Sequence, residues 1–399
     1  MEMEKVFILG AARTAIGGFG GTISHLSPAD LGAVAASAAL DRAGVAKHLE
    51  LVEQVFVGNV LAAGHGMNLA RQVARKSNIP VSSTATTINM VCGSGLQAVV
   101  LGSQSLRNND CGLVLAGGVE SMSQAGFVSQ SSRWGARLGH AELRDLIISD
   151  GLTDVFHQCH MGMTAETLAF KYGISRDQMD EFALESQRRA AQAQKEGWFD
   201  PEIASVVIEK RGKPPVDFRT DEHVRADTTK EGLAKLRPAF KSDGTVTAGN
   251  ASGINDGAAF LVLANEQGVR AVGGKPLAEI VGWGTQGVEP MEMGIGPVGA
   301  VRRTLSRLGK SISDIDLFEA NEAFAVQAVA VGRELELDPA RVNVGGGAIA
   351  LGHPIGASGA RILVTLLYHL RRTQRRLGVA TLCVGGGQGI AVAINRLED

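Results

Sequence analysis

The sequence has few cysteines, few aromatic residues and almost no net charge. Its 399 residues include four cysteines, and none of them forms a Cys-x-x-Cys pair. That spacing is typical of structural zinc sites, and disulfide-stabilised secreted scaffolds carry more cysteine, so we expect neither a metal nor disulfides. The formal net charge of −2 lacks the basic excess of a nucleic-acid-binding protein. Nucleic acid is therefore not an expected partner.

Long apolar runs are also missing. No stretch approaches the roughly 20 apolar residues that a membrane-spanning helix needs. The first residues are acidic and lead directly into a short apolar segment, unlike a signal peptide or a basic transit peptide. The sequence thus predicts a soluble, cytoplasmic protein without a membrane partner.

Glycine, by contrast, is abundant. The 51 glycines are nearly twice the usual share and follow no period. Short apolar runs alternate with helical patterns, which predicts parallel or mixed sheets covered by helices, an α/β fold. The clearest helix has Ser27 as its N-cap, Pro28 in its first turn and Gly44 just past its end.

The last third of the chain repeats features of the first third in the same order. The shared pieces are a strand, a turn and a second strand: residues 55–59, 92–95 and 113–118 in the first copy, and 317–321, 353–356 and 381–386 in the second. This order predicts two copies of one strand–helix unit. Ligands of such sheets bind at the carboxyl ends of strands. Four polar residues are predicted to follow strands in this way: Cys92, Asn321, His353 and Cys383.

Cys92 and Cys383 each lie in a glycine-rich turn. A cysteine that precedes a helix is favoured as a thiolate by unpaired N–H groups and the helix dipole. His353, within the glycine-rich stretch 343–359, could take the thiol proton, and backbone N–H groups could form an oxyanion site. Two thiols and an imidazole suit acyl transfer through a thioester. The alternative role of a cysteine is a small buried apolar residue, which we assign to Cys111 and Cys159.

Two further patterns have alternative interpretations. Residues 345–350 match the Gly-x-Gly-x-x-Ala dinucleotide fingerprint, but His353-Pro354 would break the helix that a Rossmann site requires. An arginine pair, Arg371-Arg372, also stands near the position where such a site carries an acidic residue. The basic residues between Lys210 and Lys241 are either a solvated surface or a cationic rim for an anionic ligand.

Six motifs extend over nearly the whole chain: residues 89–98 around Cys92, 117–122 (Gly-Gly-Val-Glu-Ser-Met), 246–257, 321–324 (Asn-Glu-Ala-Phe), 352–360 around His353, and 383–387. In this order they resemble the thiolase family, and within it the acetyl-CoA acetyltransferases. The resemblance implies duplicated thiolase-like βαβαβαββ halves, packed as a five-layered α-β-α-β-α sandwich with an inserted loop domain. The implied boundaries are 1–120 plus 249–272 for the N-terminal half, 121–248 for the loop domain and 273–399 for the C-terminal half.

The resemblance implies a reversible Claisen condensation of two acetyl-CoA molecules to acetoacetyl-CoA and CoA. Cys92 would become acylated after His353 activates its thiol, and Cys383 would then remove an α-proton from the second acetyl-CoA. One oxyanion site would use His353 with a water held by Asn321, and the other the backbone N–H groups of Cys92 and Gly385. No cofactor would be needed, because CoA is itself substrate and product.

The resemblance also implies the ligand contacts and the assembly. Ser252 and Ala248 would contact the pantetheine of CoA, with Arg225 near the adenine. The acyl tunnel would be lined by Leu152, His160, Met161, Phe240, Met293 and Phe324. Thiolases are usually homotetramers built as dimers of dimers, so we expect a homotetramer with contacts from a loop near residues 121–140.

Three alternatives remain open at this stage. A broader 3-ketoacyl-CoA thiolase of fatty-acid or aromatic degradation would share the chemistry and accept longer chains. A decarboxylating condensing enzyme of the ketoacyl synthase type would use a Cys-His-His site, against which Cys383 and residues 321–324 argue. A non-catalytic CoA-binding scaffold is disfavoured because Cys92, His353 and Cys383 are all present.

Overall fold

In the computed structural model, which describes residues 4–210 and 212–398, helices and strands alternate along most of the chain. The helices are α1 (Pro28–Arg42), α2 (Leu69–Lys76), α3 (Ser94–Arg107), α4 (Met161–Tyr172), α5 (Arg176–Lys195), α6 (Lys230–Ala234), α7 (Glu266–Val272), α8 (Gly296–Leu308), α9 (Ala325–Glu334), α10 (Ala348–Leu351) and α11 (Ile355–Arg372). The strands are β1 (Phe7–Thr14), β2 (Gly17–Gly18), β3 (Gln54–Gly58), β4 (Thr84–Ile88), β5 (Leu113–Ser121), β6 (Phe127–Val128), β7 (Arg144–Asp145), β8 (Thr153–Asp154), β9 (Cys159–His160), β10 (Ile203–Ala204), β11 (Val206–Lys210), β12 (Lys213–Phe218), β13 (Asn255–Ala264), β14 (Ala278–Gly287), β15 (Leu317–Ala320), β16 (Leu377–Val384) and β17 (Gln388–Arg396).

Helix α1 shows how local sequence sets an element's ends. The Ser27 hydroxyl accepts a hydrogen bond from the Asp30 N–H at 3.1 Å, and Pro28 occupies the first turn, where its missing N–H costs nothing. Gly44 follows the helix with a left-handed φ of +73°, a conformation that glycine adopts without penalty. The predicted start and stop of this helix are confirmed.

The main sheet has 11 strands and consists of two halves with the same strand order. In the N-terminal half β3 is parallel to β5, and β5, β13 and β1 follow as antiparallel neighbours. In the C-terminal half β15 is parallel to β16, and β16, β17 and β14 follow as antiparallel neighbours. A short pairing of β1 with β14 joins the halves. The predicted duplication is confirmed.

One predicted correspondence within the repeat is wrong. Val55 pairs with Leu115, and its counterpart Leu317 pairs with Gly378, so Leu115 corresponds to Gly378. The match of residues 113–118 with 381–386 was therefore out of register. It aligned two Gly-Gly pairs that differ in structure, because the first lies inside β5 and the second follows β16.

The helices form three layers around the two sheet halves. Helices α1 and α2 pack on the outer face of the N-terminal half, and α8 packs on the outer face of the C-terminal half. Between the halves lie α3 and α11, which touch each other and contact strands of both halves. The order of layers is α-β-α-β-α, as the resemblance implied.

The segment between β5 and β13 is a long excursion that returns to the sheet. It contains α4, α5, α6 and the β11–β12 hairpin, and α4 and α5 pack against α9 and α10 of the C-terminal half. Their shared apolar cluster includes Met161, Met293, Phe324 and Cys383. The excursion thus covers the region where the carboxyl end of β16 lies.

Candidate active site

Cys92 lies in a tight turn between β4 and α3. The Gly93 N–H donates to the Met90 carbonyl at 2.9 Å. The Ser94 hydroxyl accepts from the Met90 N–H at 2.8 Å and donates to the Val91 carbonyl at 2.6 Å. Val91 has a φ of +46°, in the left-handed region that β-branched residues rarely adopt. The turn holds Cys92 two residues before α3, at the positive end of the helix dipole.

The first turns of α3 and α11 approach each other backbone to backbone. A Cβ at Gly95 would lie 3.0 Å from the Gly356 carbonyl oxygen, and a Cβ at Gly359 would lie 2.5 Å from the backbone of α3. These glycines are required by the close approach of the two helices. Because Cys92 and His353 precede the two helices by the same short distance, this contact brings the thiol and the imidazole turns together.

His353 is buried and held in one tautomer. Its Nδ1 lies 2.6 Å from the Ser358 hydroxyl oxygen, and that hydroxyl donates its own proton to the Pro354 carbonyl at 2.9 Å. We therefore assign the Ser358 oxygen as the acceptor, so that Nδ1 carries the imidazole hydrogen and Nε2 has a free lone pair. Within the described residues Nε2 has no hydrogen-bond partner. Burial, and the charge of Arg361, lower the His353 pKa to about 3, so the ring is neutral.

Both cysteines of the site are neutral thiols at rest. Burial raises the pKa of Cys92 to about 11, although the N–H groups of Gly385 and of Cys92 itself point at the sulfur and lower it. Burial also raises the pKa of Cys383, and a thiolate at the neighbouring Cys92 would raise it further. The structure thus brings Cys92, Cys383 and the Gly385 N–H together.

Asn321 follows β15 and is buried with an unused amide. Its backbone N–H donates to the Thr381 carbonyl at 2.9 Å, but within the described residues neither side-chain Oδ1 nor Nδ2 finds a partner. A buried polar group without a hydrogen bond costs about 1–3 kcal/mol. Such groups in a folded protein call for an explanation, and binding a ligand or a water is a common one.

The predicted tunnel residues lie around the two cysteines. His160 stacks on Phe240 with ring centroids 4.6 Å apart, and Phe240 meets Phe324 edge-on at 6.1 Å. Met161, Met293 and Phe324 belong to the apolar cluster that contains Cys383. Leu152 and Cys92 both pack against a separate small apolar cluster.

A cleft of about 250 Å³ holds two of the three residues predicted to bind CoA. Arg225 and Ala248 both line it, together with Ile349, which also belongs to the apolar cluster around Cys383. Arg225 is the only arginine or lysine among the described residues that line this cleft. Ser252 lies beside the Asn321 motif, because its N–H donates to the Ala323 carbonyl at 3.0 Å.

Two placements differ from the prediction. Cys383 lies within β16 rather than after it, and His353 follows the one-turn helix α10 rather than a strand. The glycines beside Cys383 suggested a turn two residues too early, because β16 continues through Val384 and turns at Gly385–Gly387. Residues 343–351 form a turn and a short helix where the first copy has β4.

Sequence reasoning missed three residues that shape the site. Ser358 fixes the His353 tautomer, Val91 carries the left-handed turn, and Glu120 contacts both halves near Cys92. All three residues lie within the motifs described above, so the motifs themselves were the available signal. The φ of Val91 has no sequence signal, because valine is an unfavourable residue for that conformation.

The described part of the chain lacks several other kinds of site. It contains no helix that is both long and apolar enough to cross a membrane. It also contains no group of three or more His, Cys, Asp or Glu residues placed to hold a metal ion. The four cysteines are free; Cys111 is buried and Cys159 is half-buried.

Two thiols, a neutral imidazole and converging N–H donors at the seam of two repeated α/β halves define an enzyme that transfers acyl groups. Comparison with known families identifies it further. The family description "Thiolase, N-terminal domain" matches residues 6–267, and "Thiolase, C-terminal domain" matches residues 274–396. The chain belongs to the thiolase family of acyltransferases.

Relatives cover nearly the full chain. An acetyl-CoA acetyltransferase of Chromobacterium violaceum is 52% identical over 392 residues, which is 98% of this chain and 100% of that protein. The crystal structure of the Bacillus anthracis acetyl-CoA acetyltransferase has a TM-score of 0.96 at 44% identity and covers 99% of both chains. The human mitochondrial 3-ketoacyl-CoA thiolase in complex with CoA has a TM-score of 0.94 at 45% identity, covering 99% of this chain and 98% of that one.

Proposed function

We propose that the protein is an acetyl-CoA C-acetyltransferase, which reversibly condenses two acetyl-CoA molecules to acetoacetyl-CoA and CoA. The observation that carries this proposal is the free Nε2 of the neutral His353 in a buried site with two neutral thiols. The names of the Chromobacterium and Bacillus relatives support the choice of acetyl-CoA.

In the first half-reaction Cys92 is acylated. His353 Nε2 takes the proton of the Cys92 thiol while the sulfur attacks the thioester carbonyl, and the N–H groups of Cys92 and Gly385 stabilise the developing oxyanion. The bond from the carbonyl carbon to the CoA sulfur then breaks. The CoA thiolate takes its proton from the neutral thiol of Cys383, because burial keeps that group protonated until an acceptor arrives.

In the second half-reaction the carbon–carbon bond forms. The Cys383 thiolate removes an α-proton from a second acetyl-CoA, and the enolate oxygen is stabilised by the His353 imidazolium and by the free amide of Asn321 through a water. The carbanion attacks the acyl carbonyl, and the bond to Cys92 sulfur breaks. His353 returns its proton to Cys92, so the enzyme regains its starting protonation. No further cofactor enters either step.

A short acyl chain is supported by the apolar side chains around Cys383. Met161, Met293 and Phe324 are buried in one cluster, and the Phe240 ring closes against both His160 and Phe324. The second candidate is a broader 3-ketoacyl-CoA thiolase, which the likeness to the human mitochondrial enzyme favours. The two candidates share every chemical step and differ in the chain length that the cluster admits.

We also propose the assembly and the ligand contacts that the family suggests. Four large apolar side chains within the predicted loop of residues 121–140 are exposed, which supports a homotetramer formed through this segment: Phe127, Val128, Trp134 and Leu138. CoA would lie in the cleft lined by Arg225 and Ala248, with Ser252 beside its pantetheine. A cytoplasmic location and the three domain boundaries remain predictions from the sequence.

Thiolysis of a chain-length series tests the function. Purified protein would be given free CoA and 3-ketoacyl-CoAs from acetoacetyl-CoA upward, and kcat/KM measured for each. We expect acetoacetyl-CoA to be cleaved at least tenfold more efficiently than longer substrates, the discrimination of about 1–3 kcal/mol that a pocket gives per misfit methylene. A flat or rising profile would assign the broader thiolase. No cleavage of any member would exclude both.

A further inference from the structure

Glu120, at the end of β5, is a fully buried carboxylate near the active site that neither half-reaction uses. Its Oε1 accepts hydrogen bonds from the Asn59 side chain at 2.7 Å and the Leu61 N–H at 3.1 Å. Its Oε2 accepts from the Val60 N–H at 3.0 Å and the Gly356 N–H at 2.9 Å. Four donors satisfy the charge and offset part of the cost of burying it.

These four donors come from both halves of the molecule. Asn59, Val60 and Leu61 form the turn after β3 in the N-terminal half, whereas Gly356 lies in the first turn of α11 in the C-terminal half. Helix α11 begins at a proline N-cap and has no side-chain cap of its own. Its first N–H groups need partners, and Glu120 supplies one from the other half.

The fit between Glu120 and α11 is close. A Cβ at Gly356 would lie 2.5 Å from Glu120 Oε2 and 2.9 Å from the Asn59 Cα. Residue 356 therefore has to be glycine for the carboxylate to reach the helix. His353 stands three positions before Gly356, so the bond to Gly356 sets where the imidazole turn lies relative to the N-terminal half.

Glu120 does not help Cys92 to ionise. Its negative charge is one of the causes that raise the Cys92 pKa, after burial. Burial raises the pKa of Glu120 itself to about 7, against the N–H groups that lower it. Because the charge of Glu120 disfavours the Cys92 thiolate, we attribute its contribution to the reaction to the positions that it imposes on its neighbours.

We infer that Glu120 is a positioning residue that holds the His353 turn against the Cys92 turn. Its hydrogen bonds connect the two halves, so its loss would change the position of His353 relative to Cys92. It matters less for Cys383, which belongs to the same half as His353. The inference rests on the proposed function, and it assigns the first half-reaction as the step that depends on Glu120.

Glu120→Gln tests the inference through label exchange between acetyl-CoA and CoA, which requires only acylation of Cys92. We expect kcat for exchange to fall on the order of 10²-fold, the effect of a misplacement of about 1 Å, with KM within twofold of the unaltered protein. Asp316→Asn is the matched control. Asp316 Oδ2 accepts the N–H groups of Arg376 and Leu377 at 3.0 and 2.9 Å, at the start of β16, and its variant should exchange normally.

Gly356→Ala is the second variant, and it tests the inference in the event that Glu120→Gln does not fold. It keeps the carboxylate charge, but the added Cβ pushes both Glu120 and the Asn59 backbone away from α11. We expect the same fall in kcat, and a severalfold slower alkylation of Cys92 by iodoacetamide, followed on the Cys92 peptide by mass spectrometry. Exchange and alkylation within twofold of the unaltered protein in a folded variant would overturn the inference.

The alkylation measurement needs no acyl-CoA. If the unaltered protein exchanged no label, the proposed function would fail, while the alkylation rates would still report whether Glu120 positions His353. The two failures are thus distinguishable.

Discussion

The two halves of the molecule use the same frame for different purposes. Asn59 and Asn321 follow corresponding strands, yet the Asn59 amide donates to the Val119 carbonyl at 3.1 Å and to Glu120, whereas the Asn321 amide has no partner among the described residues. The corresponding turns before α3 and α11 carry Cys92 and His353. In one half the polar group completes the structure, and in the other it is left free for a ligand.

The two turns share a positive φ before the reactive residue but differ in shape. Val91 has a φ of +46°, whereas Gly352 has a φ of +106° and a ψ of 166°, an extended conformation that is essentially restricted to glycine. The N-terminal half adopts its positive φ with valine, at a cost of about 1–3 kcal/mol. The turns before α3 and α11 thus differ in backbone as well as in side chains.

Replacing each active-site cysteine by alanine should show the largest functional difference between the two halves. Cys92→Ala should abolish label exchange between acetyl-CoA and CoA, a loss of about 10⁴-fold or more, because no other group can carry the acyl chain. Cys383→Ala should still form acyl-Cys92, more slowly because the CoA thiolate leaves without its proton donor, and should lose condensation by a similar factor. Mass spectrometry of the acylated peptide and an acetoacetyl-CoA assay measure the two steps. Normal condensation by Cys383→Ala would show that another group removes the α-proton.

The two asparagines provide the next test. Asn321→Ala should lower kcat by about 10²–10³-fold, the usual effect of losing an oxyanion donor, and leave the melting temperature unchanged or raised. Asn59→Ala should instead lower the free energy of unfolding by about 1–3 kcal/mol, because the buried Val119 carbonyl and Glu120 lose a donor. Thermal denaturation and initial rates, measured on both variants, test these two expectations. Equal effects on stability would contradict the division of roles.

Acid stability should show the smallest difference between the halves. His369, buried in α11 of the C-terminal half, has its pKa lowered to about 3 by burial and by nearby arginines. Above about pH 6.5 neither folded nor unfolded chain carries this proton, and below it only the unfolded chain takes it up, so stability falls as the pH drops toward 3. The melting temperature of His369→Leu should therefore fall less between pH 7 and pH 5 than that of the unaltered protein.

The control for this measurement is His48→Gln, in the N-terminal half, since the His48 side chain is 57% exposed. Its melting temperature should follow the unaltered protein at each pH. An unchanged slope in His369→Leu would show that other groups dominate the acid response. His353, which is also buried and neutral, should leave a residual slope in the variant.

The sequence predicted the parts of the site that depend on local pattern. Residue order revealed the duplication, and the glycines around Cys92, His353 and Cys383 marked the turns that the structure brings together. The prediction failed where contacts between residues that are far apart in the sequence determine the structure. Glu120 meets Gly356 across 236 positions of sequence, and the end of β16 depends on pairing with β17 rather than on the glycines that follow Cys383. Repeated glycines also misled the alignment of β5 with β16.

The position of β13 has a consequence for synthesis on the ribosome. This strand lies between β1 and β5, so those two strands of the N-terminal half have no partner in common until Ala264 has been made. At about 5–20 residues per second, β1 and β5 wait many seconds with open edges while the excursion is translated. The sheet of the N-terminal half can therefore close only after β13 has been translated, when most of the chain already exists.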